Sequence, residues 1–282
     1  MKFSFEVFPP RTPDGLDALW NTVVRLNRLD PMFVSVTYGA GGSDRHRSFD
    51  AIRAVAATGA AVAGHLTCVG QSTDDVDSVL DRYAALGVGR VVALRGDPPE
   101  GVGAPYRAHP TGYQRTADLV AAIKSRGTFD VAVSAYPERH PQSPSVDHDL
   151  DVLAAKVAAG ADRAITQMFF DVDMFLRYRD RLCARGVDVP LAPGIFPIHS
   201  LPAVARFAGK CGATIPEPVA ARFAGLEGDD HATHATGAAL AAEQIEQLDT
   251  HGVEHVHLYS LNRAELVLSV CERLGLIDPV PT

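Results

Sequence analysis

Residues able to do acid–base work recur at one kind of place in this chain, at or just past the end of a short apolar run. Glu6 sits in FSFEVFPP, Asp97 in VVALRGDPP, Gln167 in AITQMFFD and Tyr259 in VHLYSLNR. A carboxylic acid can hand a proton to a leaving nitrogen, and a carboxylate can accept N–H groups and favour positive charge beside it. A side-chain amide needs several partners if it is buried, so Gln167 is hard to read as plain core. Asp97 poses the sharpest question, because a lone carboxylate aimed off a buried strand costs several kcal/mol unless something pairs with it. Each residue also has a plainer reading: Glu6 in a strand ion pair, Asp97 capping the turn before Pro98 or pairing with Arg95, and the tyrosines Tyr136 and Tyr259 packing with a bonded hydroxyl.

The elements that must carry these side chains alternate along the whole chain. Strand patterns cover Phe3 to Phe8, Phe33 to Tyr38, Ala61 to Thr67, Arg90 to Gly96, Val131 to Tyr136, Arg163 to Phe169, Val189 to Ile195 and His255 to Leu261. Between them run segments such as LDALWNTVVRLNRL, DDVDSVLDRYAALG and LDVLAAKVAAGA, with apolar residues at three- and four-residue steps and several glycine ends. Eight such units are the count and size of a (β/α)8 TIM barrel, an α/β fold, and residues 1–282 are read as one such domain. The stretch from Ile198 to Gly252 is too long for one crossover and predicts extra helices between strands 7 and 8.

Side-chain alternation then sorts the strands into two faces. Phe3/Phe5, Val34/Val36, Val92/Leu94, Val131/Val133 and Val256/Leu258 suit packing under helices. Ser4/Glu6, Ser35/Thr37, Ala63/His65, Arg95/Asp97, Ser134/Tyr136, Ile165/Gln167 and His257/Tyr259 fall on the other face, which would put Glu6, Thr37, His65, Asp97, Tyr136, Gln167 and Tyr259 around one mouth at the strand C-termini. An open doubly wound sheet competes, but no G-x-G-x-x-G follows a strand, and GAGGSD at Gly39 to Asp44 fails at its sixth position.

Composition narrows the partners. The 282 residues are 46% apolar and 21% charged with a net charge of -8, which speaks against nucleic acid or an anionic membrane as partner. No apolar run approaches a membrane span, and the N-terminus enters a strand pattern directly. Cys68, Cys183, Cys211 and Cys271 are far apart with no C-x-x-C, which fits a reducing cytoplasm. His231, His234, His251, His255 and His257 lack a carboxylate or cysteine frame with metal spacing, so no metal site is expected.

FSFEVFPPR, FVSVTYGAGGS, HLTC, VVALRGDPP, AYPERHP, ITQMFFD, PGIFPI and HLYSLNRAE occur in the order seen in methylenetetrahydrofolate reductases, and the similarity runs from Phe3 to about Leu276. The resemblance implies a barrel enzyme that reduces 5,10-methylenetetrahydrofolate to 5-methyltetrahydrofolate with NADH or NADPH and a bound FAD. Glu6 resembles the family's general acid, Asp97 the aspartate that bonds the pterin, and Gln167 the glutamine beside it. Phe207 in AVARF resembles the aromatic that stacks on folate or nicotinamide, and Tyr259 and Arg263 fall where the family has folate contacts. Thr37, His65, Arg95, Gly96, Asp97, Tyr136, His140, Asp149, Lys156 and Ile165 match positions lining the family's FAD site. Glu6, between Phe5 and Val7 and before Phe8, Pro9 and Pro10, is expected to be a carboxylic acid held near neutrality by apolar surroundings.

Two features depart from that pattern. Val152 and Ala155 stand where bacterial members have an asparagine and an arginine, so a strong phosphate contact is missing, and GVGAPYRAHPTGYQRTADLV is longer than the matching loop. Either FAD binds weakly through the remaining contacts, or the nicotinamide passes hydride directly to the iminium. The competing functions are a pterin- or folate-dependent transferase or lyase on the same barrel, and a protein that binds folate without turning it over. No ribose-reading acidic residue selects NADH or NADPH, and no feature fixes an oligomeric state.

Overall fold

The computed structural model describes residues 1–39, 42–98 and 105–278. Residues 40–41 of GAGGSD, Pro99 of RGDPP and residues 101–104 of the long segment lie outside the described residues. Eight parallel strands close a barrel in sequence order: β1 (Lys2–Val7), β2 (Val34–Val36), β3 (Val62–Thr67), β4 (Arg90–Leu94), β5 (Asp130–Ala135), β6 (Arg163–Met168), β7 (Leu191–Ile195) and β8 (His255–Tyr259). Closure is made by β1 against β8, which sets Ser4 beside His257 and Glu6 beside Tyr259.

Helices α1 (Pro13–Leu26), α2 (Gly42–Ala56), α3 (Thr73–Ala85), α4 (Thr116–Ser125), α5 (Val146–Ala158) and α6 (Val172–Ala184) follow the first six strands. Local chemistry starts them where the strand ends must be left free. Thr12 caps α1 ahead of Pro13, Ser72 and Asp75 form a capping box on α3, and the Asp171 carboxylate caps α6. Between β7 and β8 lie α7 (Leu201–Cys211), α8 (Glu217–Ala221) and α9 (Asp230–Thr250), as the long connection predicts, and α10 (Ala264–Arg273) closes the ring. No helix among the described residues is long and apolar enough to cross a membrane.

The main core lies between strands and helices, where Phe5, Val34, Val91, Val131 and Leu258 are buried outward under the helix layer. Inside the barrel the packing residues are mostly small, Ala63, Ala132 and Ala192 with Val92 and Ile165, over a floor made by Phe33. Small side chains there leave the upper barrel open. A third cluster, including Met168, Phe196, Ile198, Val204 and Phe223, seats the extra helices over the end of β7.

One strand is turned relative to the alternation read from sequence. Val92 and Leu94 face the barrel interior, and Val91 and Ala93 take the helix side. Gly96, with a φ of 81°, breaks the extended backbone just past β4, so the facing of the residues around it does not carry back into the strand. Arg95 and Asp97 therefore cannot be phased from the strand. A Cβ on Gly96 would also stand 2.5 Å from Val69 Cγ1 and 2.8 Å from Thr67 Cβ, so the kink is packed in place.

Candidate active site

A cavity of about 820 Å³ opens at the C-terminal ends of the strands. Glu6 from β1, Thr37 after β2, His65 from β3, Arg95, Gly96 and Asp97 after β4, Tyr136 after β5, and Ile165 and Gln167 from β6 all line it. His140, Asp149, Lys156, Phe207 and Tyr259 complete the set, so every sequence candidate except Arg263 borders one space. Arg263 is exposed at the start of α10 and is absent from the wall of the cavity.

Glu6 departs from its expected setting. Phe5 and Val7 point away from it into the outer core, as alternation along β1 requires. Its carboxylate instead meets two imidazoles, with His65 Nε2 at 3.4 Å and His257 Nε2 at 3.7 Å from Oε2. Burial pushes the carboxyl up, but the nearby imidazoles of His257 and His65 outweigh it and hold Glu6 below the usual carboxylate range. The apolar, near-neutral acid read from sequence is thus an imidazole-flanked carboxylate. Burial moves His65 the same way, below the ordinary histidine range, against the pull of Glu6.

Asp97 is exposed on the rim, so it incurs no burial cost, and it has no ion pair among the described residues. Arg95 is not its partner. The guanidinium lies 4.9 Å from the ring centroid of Tyr106, a residue of the long β4–α4 connection. Across the mouth, Gln167 Oε1 accepts the N–H of Met168 at 2.9 Å, which leaves its amide nitrogen without a protein partner among the described residues. The Tyr259 hydroxyl donates to the carbonyl of Thr166 at 2.8 Å, and burial pushes that phenol well above its ordinary range. Phe196 stands between Tyr259 and Phe207, with ring centroids 5.8 and 5.7 Å away. Phe207 is 47% exposed, an apolar ring turned to the cavity instead of the core.

The opposite wall comes from β5 and α5. Tyr136 packs edge-on against His140 at 4.8 Å, and burial raises its phenol to about 12. The backbone N–H of His140 donates to Asp149 Oδ2 at 2.9 Å. Lys156 is buried, and its Nζ donates to the carbonyl and hydroxyl of Ser134 at 2.8 and 3.2 Å. Loss of hydration lowers its amine to about 8, with Asp149 pulling the other way. Val152 and Ala155 line the same wall and are exposed. Among the described residues no group of three or more His, Cys, Asp or Glu side chains could hold a metal ion.

Sequence reasoning passed over two residues that shape this site. His257 contacts Glu6, and its inward phase was readable from the alternation of HVHLY, but nothing in the pattern showed that it reaches a carboxylate on the neighbouring strand. Tyr106 had no signal, because the path of a long connection over the mouth is set by tertiary contacts such as the isolated bridge between Val69 and Ala108.

The model of the family described as methylenetetrahydrofolate reductase matches residues 1–275. The chain is 42% identical over 274 residues to the 5,10-methylenetetrahydrofolate reductase of Escherichia coli (strain K12), covering 97% of this chain and 90% of that protein. It is 35% identical over 288 residues to methylenetetrahydrofolate reductase (NADH) 1 of Arabidopsis thaliana, covering 98% of this chain and 48% of that one. Among solved structures, an uncharacterized Clostridium thermocellum protein that binds two copies of 5-methyl-5,6,7,8-tetrahydrofolic acid superposes with a TM-score of 0.66 at 13% identity. That superposition covers 96% of this chain and 93% of the other, a likeness of fold.

Proposed function

The chain belongs to the methylenetetrahydrofolate reductase family, and from that footing we propose that its mouth reduces 5,10-methylenetetrahydrofolate to 5-methyltetrahydrofolate with NADH or NADPH. The observation that carries this reading is the meeting of Glu6, Asp97, Gln167 and Phe207, from four separate elements, on one cavity. The methylene carbon accepts hydride only as an iminium, which forms when the imidazolidine ring opens and one nitrogen leaves with a proton. Glu6 is the acid that supplies it. A bound folate displaces water from around Glu6 and raises its affinity for a proton, in the direction that burial already acts.

Asp97 accepts N–H groups of the pterin edge, and its negative charge lowers the energy of the iminium. Gln167 offers its free amide nitrogen to a pterin acceptor, while Phe207 and Tyr259 flank the ring system. The two electrons and the hydrogen nucleus leave C4 of the dihydronicotinamide together and bond to the methylene carbon. The Glu6 proton stays on the freed nitrogen, so a methyl group and an oxidised nicotinamide result.

The family resemblance brings FAD with it, and the donor set on α5 fits a flavin diphosphate poorly. Val152 and Ala155 present no hydrogen-bond donor to the cavity, and the Lys156 amine is already engaged by Ser134. Direct transfer from nicotinamide to iminium is the reading that this wall favours. Thr37, His65, Arg95, Gly96, Tyr136, His140, Asp149 and Ile165 then line the space for the nicotinamide nucleotide.

Glu6→Gln tests the acid. The expected result is a loss of turnover of about 10²-fold or more with folate binding retained, the usual reach of general acid catalysis. Unchanged turnover would sink the assignment, and binding without turnover in the unaltered protein would favour a folate holder.

A further inference from the structure

Beneath Glu6, side chains run in file through the barrel. His257 has Nε2 3.7 Å from Glu6 Oε2, and its Nδ1 is 2.6 Å from Ser4 Oγ. Ser4 Oγ in turn is 2.8 Å from His255 Nε2. Ser4 and His257 are fully buried, whereas His255, the first residue of β8, is partly exposed at the end of the barrel opposite the mouth. Barrel interiors are ordinarily filled by layers of branched apolar residues, so two imidazoles and a hydroxyl stacked there need a reason. Mutual hydrogen bonding explains part of the arrangement. It leaves out His257 Nε2, a buried nitrogen with no hydrogen-bond partner, aimed at the carboxylate.

His65 approaches Glu6 from the other side and makes no onward hydrogen bond among the described residues. Among the described residues, the His257 side is the one that continues by hydrogen bonds to the far face. His255 is faced there by Lys2 of β1, Arg90 of β4, Arg163 of β6 and His257 of its own strand, and its ring packs edge-on to Phe33. Burial first, then those positive neighbours, depress it to about 3, so the ring is neutral at ordinary pH. A neutral imidazole can take a proton on one nitrogen while releasing another from the second.

We propose that His255, Ser4 and His257 form a proton path that reloads Glu6 from the N-terminal face of the barrel while folate and nicotinamide fill the mouth. The inference rests on the reductase reading, because that reaction takes up one proton with each hydride. After Glu6 has protonated the leaving nitrogen, His257 Nε2–H passes its proton to Glu6 Oε2, and His257 Nδ1 takes the Ser4 hydroxyl proton. Ser4 Oγ takes the proton of His255 Nε2, and His255 Nδ1 takes one from a solvent acid such as hydronium, whose conjugate base stays in bulk water. One proton enters, one reaches the carboxylate, Ser4, His255 and His257 keep their net charge, and Glu6 is neutralised. Ring reorientation and rotation of the Ser4 hydroxyl restore the starting arrangement. The gap between His257 and Glu6 closes to hydrogen-bond range with a shift of roughly half an ångström. His257 is a catalytic residue in this scheme, and Ser4 and His255 act through it.

His255→Gln keeps an amide donor for Ser4 but cannot shuttle a proton, and its site is exposed enough for the fold to tolerate the change. Steady-state turnover of methylenetetrahydrofolate is measured in H₂O and D₂O, with a thermal melt as control. The expected result is a kcat lower by about tenfold, an unchanged folate KM, and a larger solvent isotope effect than in the unaltered protein. His255→Ala is expected to lose a similar factor and to recover with added imidazole. Unchanged kcat in both variants overturns the path. So does a lower kcat with an unaltered isotope effect and no imidazole rescue, which marks a structural role. An unaltered protein that turns over no folate would remove the reductase reading instead.

Discussion

At the scale of single residues, the environment of an ionisable group depends on which way its strand turns it. Glu6 is flanked in sequence by Phe5 and Val7, yet in space it is flanked by His65 and His257. Its charge is therefore held in place, and a proton has to be brought to it. Lys156 shows the opposite balance, since its amine has lost most of its hydration and falls from 10.5 to about 8. Between those two values the unfolded chain binds a proton that the native protein does not, so stability rises with pH in that window. The expected outcome is that Lys156→Met, compared with the unaltered protein by urea unfolding, is relatively best near pH 7. It should lose ground by roughly 3 kcal/mol at most as pH approaches 10.5. A difference that stays flat with pH would show that the amine is hydrated in the native state. The types and positions of most candidate residues on the strand ends were legible in the sequence, through alternation and motif position, whereas Tyr106 was not and Arg263 lies off the cavity. Their partners were not, because the contact of Glu6 with His257 joins the first strand to the last.

At the scale of elements, close approaches between strands and helices hold the rim in shape. Tyr83 of α3 lies against Gly64 of β3, where a Cβ would come within 2.5 Å of its ring, and its hydroxyl donates to the carbonyl of His65 at 2.6 Å. The glycine makes room for a helix ring, and the ring fixes the backbone of a cavity histidine. Gly64→Ala is expected to destabilise the protein by about 1–3 kcal/mol through overpacking, and Tyr83→Phe by about 1 kcal/mol through the lost hydrogen bond. Chemical denaturation checks both, and a Gly64→Ala protein as stable as the parent would mean that the notch is loose. Strand order and number followed from hydrophobic period, and so did the extra helices between β7 and β8. The phase of β4 did not, and just past its end Gly96 carries a left-handed backbone that no alternation rule anticipates. Element ends also shifted: the run Phe33 to Tyr38 yields only Val34–Val36 as β2. Phe33 and Thr37, on either side of it, each keep one backbone bond to β1, while their side chains reach the floor and the mouth.

At the scale of the molecule, closure of the sheet is what turns scattered motifs into a site. Glu6 and Tyr259, 253 positions apart in the numbering, are register partners once β1 pairs with β8. Small residues inside the barrel keep its upper half open, and the satellite core under α7 swings Phe207 over the opening. The far end of the same barrel carries the partly exposed His255. In the proposed reaction reductant and folate enter from one face, and a proton arrives from the other. The central claim, that this mouth moves hydride from a nicotinamide to a folate-borne methylene carbon, is tested most directly by one assay. Purified protein without added flavin is mixed anaerobically with NADH and 5,10-methylenetetrahydrofolate, and NADH absorbance and methyl product are followed, with a parallel sample given FAD. The expected result is one 5-methyltetrahydrofolate formed per NADH oxidised in the flavin-free sample, with no flavin bands in the protein spectrum. Turnover that appears only with FAD would contradict direct transfer, and no turnover in either sample would contradict the reductase itself.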